Sequence, residues 1–140
     1  MYMSTAASLR TRVDASPRTL AIAVGDIALV FLFVGIGELQ HGYDLLAQPG
    51  RVVGTALPFL IGWAIASVLA GVYAPRIYRS LRSGVVRTAL AWIGAVLVGQ
   101  ALRATATFHG DFAVTFMFVS LGVGLVLLVP WRAAIGYLSR

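Results

Sequence analysis

Lysine and cysteine are both absent from this 140-residue chain, and acidic residues are scarce, five in all. Without lysine no Schiff base to retinal or pyridoxal phosphate can form, and no phosphate-loop lysine exists. Without cysteine there is no disulfide, no thiolate catalysis and no Cys-ligated metal or iron–sulfur centre. Charged residues make up only 11% of the chain, against about 25% in soluble proteins. Apolar residues take their place at 59%, above the usual 45–50% or so. A small soluble domain leaves much of its surface wet, so this excess has to face lipid. The expected fold is all-α, an integral membrane four-helix bundle.

The formal net charge of +6 would suit phosphate neutralisation on nucleic acid. Position argues otherwise, because the arginines sit in short segments beside apolar runs. The lipid bilayer, not nucleic acid, is the expected surrounding.

Residues 1–17 are small, polar and weakly patterned, and read as a flexible cytoplasmic tail closed by Pro17. Residues 18–140 form a single transmembrane domain. Roughly 20 apolar residues cross a bilayer core, and four runs qualify, at about 19–37, 52–73, 88–108 and 112–131. The first is too long for a secretory signal and lacks a small-residue cleavage site. The second carries Pro58 in its first turns, where a proline costs little. The third reaches full length only by including Arg103, which can snorkel to the interface. Residues 74–86 read as a polar connector broken at Ser83-Gly84, and Pro130-Trp131-Arg132 as the end of the fourth span.

Nine arginines (10, 12, 18, 76, 79, 82, 87, 132 and 140) fall on one side and only Arg51 and Arg103 on the other. The positive-inside rule then places both termini in the cytoplasm. A weak internal repeat pairs Arg18-Thr19 with Arg87-Thr88 and His41-Gly42 with His109-Gly110. It would make the chain two parallel helical hairpins.

Few residues here can carry chemistry. Asp26 lies inside the first span, where a charge costs about 2.5–3.5 kcal/mol on insertion scales. It reads either as a proton- or cation-responsive group or as a carboxylate satisfied by a neighbouring hydroxyl or backbone group. Gln100 and Arg103, three apart, share a helix face and are the other intramembrane polar candidates for ion, proton or partner contact. An outer polar cluster gathers Glu38, Gln40, His41 and Asp44 with His109 and Asp111. If the first and third spans are neighbours, Glu38 and Arg103 pair. The His and acid residues are metal-ligand types, but their spacing matches no metal motif. A structural polar rim is preferred to a metal site or a bis-histidine haem, and no cofactor is expected. Gly62-x-x-x-Ala66, Ser67-x-x-x-Gly71, Gly94-x-x-x-Val98 with Gly99, Gly122 and Gly124 mark close helix approach. No nucleophile elbow, metalloprotease helix or phosphate loop is present, so an enzyme is not expected.

Gly25-Asp26, the stretch Gly37-Glu38-Leu39-Gln40-His41-Gly42, Gln48-Pro49-Gly50-Arg51, the run from Pro58 to Trp63, Gly99-Gln100-Ala101-Leu102-Arg103 and Val129-Pro130-Trp131-Arg132 together resemble the DUF3054 family. These are small four-span membrane proteins of halophilic archaea and some high-GC bacteria. The resemblance spans about residues 18–135. It implies a plasma-membrane location and brings no activity to any position. Two functions follow from the residues. One is a small transporter or channel-like protein using the intramembrane carboxylate, by analogy with small multidrug exporters. The other is an accessory or assembly subunit of a larger membrane complex. A homo-oligomer or a larger membrane-protein partner accompanies either.

Overall fold

The computed structural model describes residues 12–75, 80–105, 107 and 114–138. Four helices account for most of them: α1 Pro17–Gln40, α2 Pro49–Ala70, α3 Leu81–Arg103 and α4 Val114–Leu138. All four are long and apolar enough to cross a membrane. At 1.5 Å per residue, their 22–25 residues span about 33–38 Å, against about 30 Å of hydrocarbon.

Local sequence sets the helix ends. Ser16 caps α1, its side chain accepting from the Thr19 amide at 3.2 Å, and Pro17 supplies the preset first φ. Ser80 does the same for α3 through the Ser83 amide. The third helix therefore gains its length on the N-terminal side, and Ser83-Gly84 lies in its first turn rather than in a connector. Gly71 ends α2 in the left-handed conformation, φ 71°, which costs a glycine nothing. Helix α2 begins at Pro49, so Pro58 is interior to it, and α4 continues through Pro130 to Leu138. Membrane helices tolerate such prolines where neighbouring helices satisfy the freed backbone groups.

The helices run alternately up and down in a ring. Helix α1 packs on α2 and α4, and α3 packs on the same two, so α1 and α3 face each other across the diagonal. The closest seam joins α2 and α3. There a Cβ on Gly62 would meet the Ala95 carbonyl oxygen at 2.5 Å, and Gly94 faces the Ala66 methyl. Gly99 lies against Phe59, and Gly124 gives way to the Trp92 indole, whose Nε1 donates to the Ser120 carbonyl at 2.9 Å. A Cβ on Gly122 would meet nothing within 4 Å. Close packing of small residues thus explains Gly62, Gly94, Gly99 and Gly124, whereas Gly71 is a helix stop.

Aromatic rings fill the bundle axis. Phe33 meets Phe59 edge-on at 5.5 Å, Trp92 at 5.9 Å and Phe116 at 6.2 Å, and Trp63 continues the column to Tyr73 at 6.5 Å. Lipid-facing positions such as Leu20, Leu69, Leu90 and Val126 are exposed, as a bilayer-facing surface requires. Of the expected tail, residues 12–16 are held against the bundle. The Asp14 amide donates to the Tyr73 carbonyl at 2.6 Å, and Arg12 donates to the Leu69 carbonyl.

Candidate functional site

Polar side chains concentrate at the two ends of the bundle, separated by the aromatic column. At the end that carries residues 12–16, Asp26 is wholly buried. Its Oδ2 accepts from Arg132 Nη2 at 2.6 Å and from the Tyr73 hydroxyl at 2.5 Å. Its Oδ1 accepts from Trp131 Nε1 at 3.0 Å. Tyr73 in turn accepts from Trp63 Nε1, and Arg132 Nη1 donates to the Val72 carbonyl at 3.1 Å. Three elements meet on one carboxylate: α1, α4 and the turn after α2.

Sequence dictates this meeting in two ways. Gly25 has no side chain, and a Cβ there would run into the Trp131 ring, so α1 and α4 can approach closely only with glycine present. Gly71 reverses the chain so that Tyr73 tucks back inside. A ring of guanidiniums surrounds the C-terminal end of α2, where Arg12, Arg87 and Arg132 donate to the carbonyls of Leu69, Ala70 and Val72. Cations are favourable at that negative end of the helix dipole.

The opposite end is arranged differently. Glu38, buried near the end of α1, accepts from Arg51 Nε at 2.7 Å and from Thr55 Oγ1 at 2.9 Å. Arg51 lies 3.7 Å from the centre of the Tyr43 ring, and Arg103 lies 4.4 Å from that of Phe116. These residues, with Phe33, Val34, Gly37 and His41, line a partly open cavity of about 300 Å³ between all four helices.

The expected site residues separate on this map. Asp26 belongs to the end with the buried ion pair. Glu38, His41 and Arg103 share the cavity. The expected Glu38–Arg103 pair is corrected: Glu38 takes Arg51, because α1 and α3 are diagonal while α1 and α2 form a hairpin. His41 follows the end of α1 with Nδ1 2.9 Å from the Gly37 carbonyl. Asp44 holds the following turn, Oδ1 accepting from the Leu46 and Ala47 amides, and Gln40 is exposed. Gln100 is buried with neither its amide nitrogen nor its oxygen hydrogen-bonded. His109 and Asp111 lie outside the described residues. Among those residues no three His, Asp or Glu side chains gather as metal ligands.

Arg132, Tyr73 and Arg51 were not singled out by the sequence as site residues. Arg132 had a legible signal: the apolar pattern continues past Pro130 to Leu138, which places its guanidinium inside a helix. A cation inside a span needs an anion, and Asp26 is the carboxylate within the first apolar run.

The architecture is that of an integral-membrane four-helix bundle with a buried ion pair at one end and a cavity between all four helices at the other. The chain belongs to the DUF3054 family of proteins of unknown function, whose family model matches residues 23–135. No curated protein and no solved structure matches it.

Proposed function

We propose that this protein is a non-enzymatic carrier for a small solute in the cell membrane, with both termini in the cytoplasm. The observation that supports it is the asymmetry of the two ends. At the Glu38 end a cavity runs between all four helices, while at the Asp26 end the centre of the bundle is closed by an ion pair with side-chain exposures of 2% and 0%. The space at that end, about 490 Å³, lies to the side against residues 13–17, Thr19, Leu20, Ala23 and Tyr73. One open side and one closed side is what alternating access requires of a carrier. Phe33, Phe59, Trp92 and Phe116 occupy the axis between them, which favours a carrier over a standing pore.

In this reading Asp26 is half of a latch. Opening the cytoplasmic end requires its bonds to Arg132, Tyr73 and Trp131 to part together. Anything that neutralises the carboxylate weakens the latch, so a proton on Asp26 would favour release. The arginine excess on the termini side supports the orientation.

Absence of cysteine makes the test direct. Ser67→Cys places a reporter near the closed end, and Gly37→Cys places one in the cavity. Sealed vesicles of each orientation are treated with a membrane-impermeant maleimide. The carrier reading expects Gly37→Cys to label from the outside and Ser67→Cys from neither side. Adding Asp26→Asn, or separately Arg132→Gln, should expose Ser67→Cys to the cytoplasmic side. Protection that persists in monodisperse, folded double variants overturns the latch.

A further inference from the structure

The cavity at the Glu38 end is chemically lopsided. Among the described lining residues the one carboxylate, Glu38, is already engaged by Arg51 Nε and Thr55 Oγ1. The remaining charged lining is cationic, from Arg51 and Arg103, with His41 beside them. Arg51 uses only Nε toward Glu38, and no protein acceptor among the described residues is assigned to its two terminal nitrogens. The Tyr43 ring, 3.7 Å from the guanidinium carbon, holds the fork in place. Beneath this rim the lining turns apolar, with Val34 and the tilted pair of Phe33 and Phe116 rings, 6.2 Å apart.

We propose that this cavity binds a small organic carboxylate with an apolar or aromatic tail, the carboxylate on the terminal nitrogens of Arg51 and the tail on Phe33 and Phe116. This deepens the carrier reading by naming the ligand class. Two parallel N–H donors on a planar guanidinium match the two oxygens of a carboxylate. A cation would meet the Arg51 guanidinium and a carboxylate that is already paired. A free inorganic oxyanion would satisfy the rim and leave the aromatic floor unused. Size points the same way, since about 300 Å³ sits at the small end of the ~300–1,000 Å³ range of ligand sites. Such a volume suits a monocarboxylate and excludes a two-chain lipid.

The test uses the full chain in detergent with Gly37→Cys, a position where a Cβ meets nothing within 4 Å. Phenylacetate is the probe, with its uncharged twin phenylacetamide and inorganic phosphate as comparisons. Phenylacetate should raise the Tm and slow maleimide labelling of Gly37→Cys by about tenfold or more, whereas the other two should do neither. Arg51→Lys keeps the charge but removes the fork, and should weaken phenylacetate about tenfold, or 1.4 kcal/mol. Equal protection by phenylacetamide, protection by phosphate alone, or no protection by any probe overturns the assignment. If Arg51→Lys does not fold, the three-probe comparison on the native lining still decides. Protection by phenylacetate without exposure of Ser67→Cys in the latch variants would uphold this site and overturn the carrier. The converse would overturn only the ligand class.

Discussion

Each end of the bundle joins a carboxylate of α1 to an arginine, at almost the same distance: 2.6 Å for Asp26–Arg132 and 2.7 Å for Glu38–Arg51. Burial separates them. The first pair has side-chain exposures of 2% and 0%, whereas Arg51 in the second is 37% exposed. In water a pair at this spacing interacts weakly, and in a low-dielectric interior far more strongly, against a heavy desolvation cost. Asp26 and Arg132 are therefore committed to each other. The Glu38 pair, reached by solvent, leaves half of its guanidinium available.

Removing one partner at the buried end should have the largest effect. Asp26→Ala leaves Arg132 charged inside a helix bundle, and should cost about 3–5 kcal/mol of stability. Thermal unfolding in detergent measures it, and the Asp26→Ala/Arg132→Ala double variant should lose less than the sum of the singles. An additive result would break the contrast between the two ends. Next comes Gly25→Ala, which drives a methyl into Trp131 and should cost about 1–3 kcal/mol as overpacking. Quenching or a spectral shift of tryptophan emission should accompany it.

The hollow end should respond less. Glu38→Gln keeps an acceptor for Thr55 and loses a pair that solvent already screens, so about 1 kcal/mol or less is expected. Salt should reduce that difference, while leaving the Asp26 variant's deficit nearly unchanged. Smallest of all is Gly37→Ala. It fills open space in α1 and should stabilise by about 0.5–1 kcal/mol through helix entropy alone. A Tm that falls instead would show that the cavity wall has no room for a methyl at Gly37.

Much of this fold is legible in the residues. Four apolar runs and an arginine excess on alternate connectors suffice for four helices of alternating direction, although the polar look of residues 74–86 hides the start of α3 at Leu81. Asp26 stands out for the same reason, since a carboxylate inside an apolar run is costly wherever it points. Its partner is not legible in the same way. Arg132 follows Pro130-Trp131, a pattern that resembles a helix end, yet α4 runs through it to Leu138. Tyr73 lies past the end of α2 and returns only because Gly71 turns the chain. The Glu38–Arg103 expectation took the first and third helices as neighbours, and a four-membered ring makes them diagonal.

Composition and periodicity alone determined that this chain lives in a membrane as four helices. Those properties depend on solvent preference, which each segment carries by itself. The tertiary structure alone decided which arginine meets which acid. That choice depends on how each helix is rotated against its neighbours, and rotation is set by contacts such as Gly25 on Trp131 and Gly62 on Ala95. A helical period shows which residues of one helix share a face. It carries no information about the face opposite.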